Sequence, residues 1–174
     1  MKILFLDVDG VLNSMTHYHS VKNITEDPLD SASIHCLAQI IAATDATIVL
    51  TSTWRGGWHK DPDRCQVQGK ILNRYLKKEG LEIYDSTPSL DICDGSVRCQ
   101  EILLWMKRCP YKIESYAIID DADYHWENYG LSHRWIRTDF NQLGLEEKHV
   151  APAIALLNKK EKKLFFRNLF RRSF

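Results

Sequence analysis

Short apolar runs alternate with helical patterns along this chain. The runs are partly β-branched or aromatic and stop at polar or turn residues, as strands do; they lie at 2–6, 47–50, 81–84, 116–119 and 134–136. Between them, apolar residues recur at helical spacing at 31–43, 70–80 and 96–108. The first and third of these segments begin on serine caps, and the second ends on Gly80. This alternation predicts an α/β fold with a mainly parallel five-stranded sheet between layers of helices.

The composition agrees with a single folded domain. The chain has 174 residues, of which 44% are hydrophobic, and this is enough to form a core. Its five cysteines include no CxxC pair, and their odd number suits free thiols better than a disulfide framework. No apolar segment has the length of a membrane span, and we expect no signal peptide. These features predict a cytoplasmic protein.

Charge divides the chain into two regions. Residues 158–174 contain seven Lys or Arg and one Glu, which leaves 16 basic and 22 acidic groups in residues 1–157. We predict a domain over 1–157 and a basic amphipathic helix over 158–174, where apolar residues recur beside a basic row. Three interpretations of this helix stay open: it packs on the domain, it binds an anionic membrane surface as a peripheral anchor, or it precedes a further domain in a longer protein.

Two carboxylates follow the first apolar run directly. Asp7 ends that predicted strand and Asp9 comes two residues later, while Gly10 permits the turn. In open parallel sheets, ligands bind beyond the carboxyl ends of the strands. Because neighbouring carboxylates repel each other and are costly to bury, a cation is expected between them, and oxygen ligands suit Mg²⁺. A simple turn and cap pair is the alternative.

A second strand-like run also ends in acids. Asp120 and Asp121 follow the run at 116–119, and Asp123 comes just beyond them. Carboxyl ends of parallel strands meet at one edge of a sheet, so these acids are expected to form a cluster with the first pair. Helix capping is the alternative role for Asp120 and Asp121.

A third run ends on hydroxyl groups. Thr51 and Ser52 follow the strand at 47–50, and side chains of this kind can hold phosphate oxygens. Such a site needs a basic group, and Arg98, near the start of the third helical segment, is the best placed candidate. The alternatives are that the hydroxyls cap a helix and that Arg98 is a solvated helix residue.

These motifs resemble the haloacid dehalogenase (HAD) superfamily in its phosphatase branch. DVDGV at 7–11 matches the first motif, IVLTS at 48–52 the second, and AIIDD at 117–121 the acidic fourth, while Arg98 stands where a Lys or Arg is expected. The similarity covers about residues 1–140. LDVDGVLN, TSTWR and RCQEILLWM are particularly similar to the small phosphatase modules attached to bacterial RNA-repair proteins. The resemblance implies a HAD-like, Rossmann-like three-layer sandwich.

The resemblance also implies roles for the acids. Asp7 would be the nucleophile that forms an aspartyl-phosphate, and Asp9 would be the general acid for the leaving oxygen and then the base for water. Mg²⁺ would bind Asp7, the backbone carbonyl of Asp9, and an acid from 120 or 121. We favour Asp121 as the direct ligand, with Asp120 supporting it.

The phosphoryl group would be held by the remaining motif residues. Thr51, with Ser52 as the alternative, and Arg98 would neutralise its charge during transfer. Further side chains close to the motifs are candidates for binding substrate, although aromatic residues at such places often belong to the core. These candidates are Asn13, Trp54, Arg55 and Trp126.

The substrate depends on what covers the site. Only about 17 loop-like residues, 14–30, follow the first motif, and a helix and a strand fill most of 53–97, so no full cap domain fits. An open site suits phosphate groups on macromolecules, and we favour phosphoprotein, especially phosphotyrosine, whose long side chain could reach past aromatic walls. Nucleic-acid ends or nucleotides are the alternative, which the acidic body disfavours. A catalytically silent binding module is a third possibility.

Overall fold

The computed structural model describes residues 1–90 and 97–160. The strands are β1 Lys2–Leu6, β2 Thr47–Leu50, β3 Ile83–Ser86, β4 Ser115–Asp120 and β5 Trp135–Arg137. The helices are α1 Met15–Ser20, α2 Ser31–Thr44, α3 Val67–Lys78, α4 Val97–Arg108 and α5 Glu147–Asn158. A 3₁₀ turn, Thr53–Gly57, follows β2.

The described strands form one parallel sheet in the order β3-β2-β1-β4-β5. Successive side chains of β1 point to opposite faces of this sheet. Leu4 and Leu6 pack into the core shared with α2, α3 and α5, whereas Ile3 and Phe5 pack into the core shared with α4. Helices therefore cover both faces, and the predicted three-layer α/β sandwich is confirmed.

The predicted elements agree with the structure except near some of their ends. β3 begins at Ile83, two residues later than expected, and α3 begins at Val67, three residues earlier. The cap of α2 is Asp30 and not the predicted serine, because the Asp30 carboxylate accepts a hydrogen bond from the backbone N–H of Ala32 at 2.8 Å.

Two helices were not expected from the sequence. The segment 14–30 contains the short helix α1, whose N-terminus is capped by the Ser14 hydroxyl accepting from the His17 N–H. α5 lies outside the predicted elements, and it contains Pro152, a residue that normally interrupts a helix. Neither segment adds a second domain, and the described residues contain no full cap over the sheet, as predicted.

Two sequence predictions fall on residues outside the described ranges. One is the serine cap at Ser96, and the other is the basic amphipathic helix over 158–174, of which residues 158–160 alone are described. Binding of that segment to an anionic membrane surface stays a prediction. Among the helices that the structure describes, none combines the length and the apolar character needed to cross a membrane.

Candidate active site

Three strands of the sheet end side by side at the candidate site. The backbone N–H of Asp7 donates to the carbonyl of Ile119 on β4 at 3.0 Å, and the N–H of Thr51 donates to the carbonyl of Leu6 on β1 at 2.8 Å. Because these bonds continue the parallel ladders, the ends of β1, β2 and β4 stay in register. Asp7, Thr51 and Asp120 are thus brought to one edge of the sheet.

Three carboxylates form an acid cluster at this edge. Asp7, Asp120 and Asp121 each offer an oxygen, and these atoms all lie within 4.8 Å of one another. Asp120 is fully buried, Asp7 is 6% exposed, and Asp121 is half-buried. A set of hard carboxylate oxygens fits Mg²⁺, which takes oxygen ligands and usually keeps several waters. The cluster therefore contains both predicted acids of the fourth motif.

Arg98 balances part of this charge from the first turn of α4. Its Nη1 donates to Asp7 Oδ1 at 2.9 Å, to Thr51 Oγ1 at 3.2 Å and to Asp120 Oδ2 at 3.3 Å. Its Nη2 donates to the hydroxyl of Tyr124 at 3.4 Å, and the guanidinium lies over the Tyr124 ring. One buried guanidinium thus connects three of the predicted motifs.

The pKa values of these groups reflect burial among like and unlike charges. Burial alone would lower the pKa of Arg98, but the charges of Asp7 and Asp120 outweigh it and raise that pKa. Burial, followed by the charge of Asp7, raises the pKa of Asp120 and also that of Asp121. The cluster therefore carries more negative charge than Arg98 neutralises, which favours binding of a cation.

Asp9, expected from sequence to share a cation with Asp7, is not a member of the acid cluster, and two donors hold its carboxylate. Asn13 Nδ2 donates to Asp9 Oδ1 at 2.8 Å, and Trp54 Nε1 donates to Asp9 Oδ1 at 3.2 Å and to Oδ2 at 3.1 Å. Asn13 also accepts from the backbone N–H of Gly10 at 2.9 Å, which fixes the turn after β1. The predicted substrate-binding candidates Asn13 and Trp54 are buried and contact Asp9 instead of lining an open surface.

Gly10 meets two requirements of the turn. Its φ of +75° lies in the left-handed region, which glycine adopts without strain. A Cβ at this position would also stand 2.4 Å from the carboxyl carbon of Asp121. The glycine of the first motif therefore lets the backbone approach an acid of the fourth motif.

The two hydroxyls after β2 have different surroundings. Thr51 Oγ1 contacts Arg98, whereas Ser52 Oγ accepts from the backbone N–H of Trp54 at 3.3 Å and so caps the 3₁₀ turn. Thr51 is therefore the better candidate for contacting a phosphoryl oxygen, in line with the preference from sequence. Ser52 takes the capping role that the sequence left as an alternative.

The other two substrate-binding candidates are also engaged within the protein. Arg55 Nη1 donates to the carbonyl of Thr51 at 2.6 Å, and its Nη2 donates to Glu101 Oε1 at 2.6 Å. Trp126 is fully buried, donates to the carbonyl of Ala122 at 3.0 Å and packs among aromatic rings. Arg55 therefore ties the second motif to α4, and Trp126 belongs to the core.

Sequence reasoning missed two residues of the site. Glu101 is 1% exposed and accepts hydrogen bonds from Arg55 and from the Leu90 backbone N–H. The sequence could have indicated it, because it lies three residues after Arg98 and therefore on the same face of the helix. Tyr124 was the other, and it follows the fourth motif closely. Glu101 contacts Arg55 and Tyr124 contacts Arg98, so these two residues position the arginine side chains of the site.

The fold and this constellation together define a class of protein. A central parallel strand followed directly by DVD, beside a hydroxyl, an arginine and two further acids, is the arrangement of a haloacid dehalogenase-like hydrolase. A family model described as the HAD domain in Swiss Army Knife RNA repair proteins matches residues 3–150. The chain belongs to this family, which makes it a phosphatase-type hydrolase and confirms the resemblance inferred from the motifs. No curated protein and no solved structure matches the chain.

Replacing Asp120 by asparagine tests the acid cluster. The pKa of Asp120 is raised from 3.8 to about 8, so between these values the folded protein holds a proton that the unfolded chain releases. Stability of the wild type in EDTA should therefore fall as the pH rises through this window, and the Asp120→Asn variant should show a smaller fall. Mg²⁺ should raise the Tm of the wild type by more than it raises the Tm of the variant, because a ligand that binds the native state stabilises that state.

The matched control is Asp123→Asn, an exposed acid outside the cluster whose carboxylate caps the His125 N–H, a role that asparagine retains. Thermal unfolding of the three proteins, at about pH 6 and about pH 8 with and without Mg²⁺, measures both effects. An equal rise of Tm with Mg²⁺ in all three proteins would exclude Asp120 as a ligand of the ion.

Proposed function

We propose that the protein is a Mg²⁺-dependent phosphomonoester hydrolase that works through an aspartyl-phosphate on Asp7 and acts on phosphorylated ends of nucleic acid. The observation that carries the reaction type is the contact of Arg98 Nη1 with both the Asp7 carboxylate and the Thr51 hydroxyl. A guanidinium and a hydroxyl beside a carboxylate nucleophile can hold the oxygens of the phosphoryl group that the carboxylate attacks.

The first half-reaction transfers the phosphoryl group to the protein. A carboxylate oxygen of Asp7 forms a bond to phosphorus, and the bond from phosphorus to the leaving oxygen breaks. Arg98 and Thr51 bind the phosphoryl oxygens, whose charge they balance during the transfer. Asp9, protonated at Oδ2, gives its proton to the leaving oxygen; Oδ2 receives one donor, whereas Oδ1 receives two.

The second half-reaction releases phosphate. Asp9, now a carboxylate, takes a proton from a water molecule, and the water oxygen forms a bond to phosphorus. The bond from phosphorus to Asp7 breaks, so Asp7 is again a carboxylate and Asp9 is again protonated. Asn13 and Trp54 keep the Asp9 carboxyl group in one orientation for both proton transfers.

Mg²⁺ fits the donor set of the acid cluster. Asp7, Asp120 and Asp121 would hold the ion through carboxylate oxygens, and the bound ion would supply positive charge that offsets repulsion between the nucleophile and an anionic phosphate. Because both Asp120 and Asp121 belong to the cluster, either can be the direct ligand.

Two observations favour nucleic-acid ends over phosphoprotein as the substrate. The family is described by its place in RNA repair proteins, which act on nucleic acid. The preference for phosphotyrosine depended on aromatic walls around the site, but Trp126 is fully buried in the core and Trp54 is bonded to Asp9. The absence of a full cap in the described residues is compatible with either macromolecule.

A substrate comparison tests this proposal. We expect Mg²⁺-dependent phosphate release from p-nitrophenyl phosphate and from oligonucleotides carrying a 3′- or 5′-phosphate. The kcat/KM for the better oligonucleotide should exceed that for phosphotyrosine peptides by about tenfold or more, which is about 1.4 kcal/mol of transition-state binding. Faster release from phosphopeptides would restore the phosphoprotein interpretation. If no substrate were turned over with Mg²⁺ present, the interpretation as a catalytically silent binding module would remain.

A further inference from the structure

A groove borders the edge strand of the sheet on the side of the second motif. It has a volume of about 650 Å³ and lies between the loop that begins at Trp58 and the helix α3, with residues 80–83 leading into β3. Its walls carry five basic or potentially basic side chains and one acid: His59, Lys60, Lys70, Arg74, Lys77 and Glu82. No role in the hydrolase chemistry accounts for this concentration of positive charge.

The cations of α3 form a row. Lys70, Arg74 and Lys77 are separated by four and three residues, so they lie on one face of the helix, about 6 Å and then about 4.5 Å apart along its axis. All three side chains are exposed. Among the described residues, none of these three forms an ion pair with a carboxylate, whereas Lys60 contacts Asp85 at 3.4 Å. Arg74 lies over the Tyr75 ring, 5.4 Å from its centroid, a contact that leaves its positive charge unneutralised. The row can therefore attract an external anion.

The positive charge of this row is opposite in sign to the net charge of residues 1–157, to which the row belongs. Residues 1–157 contain 16 basic and 22 acidic groups, and the groove gathers four of the lysine and arginine side chains beside a single acid. A helix face selected for solubility alone would mix both signs along its length. A local basic stripe on an acidic domain is the electrostatic pattern of a binding site for a polyanion.

The groove begins next to the catalytic edge of the sheet. Thr51 directly follows β2 at the active site, and the 3₁₀ turn Thr53–Gly57 leads from there to Trp58. A helix that connects parallel strands runs opposite to them, so Lys70 is the member of the row nearest to the catalytic edge and Lys77 the farthest. An extended polymer whose end reaches Asp7 could follow the row away from it.

Hydrogen bonds connect the two walls of the groove. Trp58 Nε1 donates to Asn73 Oδ1 at 3.1 Å, and the Gln66 N–H donates to the Gly57 carbonyl at 2.8 Å. A Cβ on Gly69 would stand 2.2 Å from the same carbonyl oxygen, so only glycine permits this approach of α3 to the turn. The helix that carries the row is therefore packed closely against the turn that follows the second motif.

We propose that this basic groove binds the phosphate backbone of the nucleic-acid strand whose phosphorylated end occupies the Asp7 site. The inference rests on the proposed function and extends it to a second binding site for the same substrate. A nucleic acid is favoured over an acidic peptide because a row of three cations matches regularly repeated phosphates, and because the half-buried Trp58 offers an aromatic surface in the same groove.

The test compares two triple variants that remove the same residue types. One is Lys70→Gln, Arg74→Gln, Lys77→Gln; the control is Lys107→Gln, Arg108→Gln, Lys112→Gln, which lie at or after the end of α4 and are exposed. For a phosphorylated oligonucleotide of about 12 nucleotides, the groove variant should raise KM roughly tenfold or more at low salt. Its kcat and its turnover of p-nitrophenyl phosphate should match those of the wild type.

Binding of the same oligonucleotide without its phosphate, measured by fluorescence anisotropy, separates the groove from the catalysis. The groove variant should reduce the slope of log K against log salt by about 2, since three contacts to a single strand contribute about 0.7 each. Both triple variants keep residues 158–174, so the comparison excludes the basic segment there.

Each outcome of these measurements has a distinct meaning. Equal effects of the two triple variants on KM and on binding would contradict nucleic-acid binding by the groove. Turnover of p-nitrophenyl phosphate in the same proteins would still support the proposed hydrolase activity. Lost turnover with retained, groove-dependent binding would overturn the proposed reaction alone. Competition by a glutamate peptide as strong as that by an oligonucleotide of equal charge would replace the nucleic acid with an acidic peptide as ligand.

Discussion

Replacing Asp7 by asparagine should lower the hydrolysis of every phosphate monoester by several orders of magnitude, on the order of 10³-fold or more. The amide oxygen of asparagine can still accept the hydrogen bond that Arg98 Nη1 makes to Asp7 Oδ1 at 2.9 Å, but an amide is a poor nucleophile toward phosphorus. Steady-state release of phosphate from p-nitrophenyl phosphate with Mg²⁺ measures this loss. Turnover near the wild-type rate would exclude Asp7 as the nucleophile.

The fold of the Asp7→Asn variant should remain intact. The sequence predicts repulsion between Asp7 and Asp9, but in the structure the Asp9 carboxylate accepts hydrogen bonds from Asn13 and Trp54. The carboxylates that gain from neutralising Asp7 are instead Asp120 and Asp121, whose pKa values its charge raises. This relief opposes the loss of the ion pair with Arg98 at 2.9 Å, so we expect only a small change in Tm.

Asp123→Asn serves again as the matched control for Asp7→Asn. It removes one carboxylate near the fourth motif without changing the nucleophile, and its turnover should equal that of the wild type. A low rate in this control would indicate that a general loss of negative charge, and not the loss of the Asp7 nucleophile, explains the result.

Replacing Asp9 by asparagine should produce a loss that depends on the leaving group. Phosphate esters of alcohols need a proton on the departing oxygen, and we expect their turnover to fall by about 10²- to 10⁴-fold. p-Nitrophenolate departs without protonation, so its release in the first half-reaction should fall much less. Burst-phase measurements of p-nitrophenolate separate this step from hydrolysis of the phosphorylated protein, in which Asp9 is the proposed base.

Trp54→Phe is the companion variant for Asp9. It keeps an aromatic ring in the buried site but removes the indole N–H that contacts both carboxylate oxygens of Asp9, at 3.1 and 3.2 Å. A smaller loss with the same dependence on the leaving group would support a positioning role. If Asp9→Asn instead slowed both substrate types equally, Asp9 would act by organising the site and not by transferring a proton.

Much of this architecture follows from local patterns in the chain. A short apolar run needs a sheet to bury both of its faces, so five such runs between amphipathic segments predict a parallel sheet under helices. Polar residues directly after those runs must then lie at one edge. Asp7, Thr51 and Asp120 could therefore be placed in a common site from sequence, and Gly10 marked the turn beside them.

The exact partners of the site side chains depend on contacts between distant parts of the chain. Asn13 and Trp54 follow motif strands, which suggested contact with substrate, yet the fold brings the Trp54 indole across 45 positions to Asp9. Arg55 similarly reaches Glu101 across 46 positions. No periodicity records such pairings, because they depend on how the loops after different strands pack against one another.

The basic groove shows the same division. The positions of Lys70, Arg74 and Lys77 on one face of a helix follow from their spacing. That this face borders a groove beginning beside the second motif depends on the order of β3 and β2 in the sheet and on the close packing of Gly69 against Gly57. Local spacing determines which side chains share a surface, whereas packing between elements determines what that surface faces.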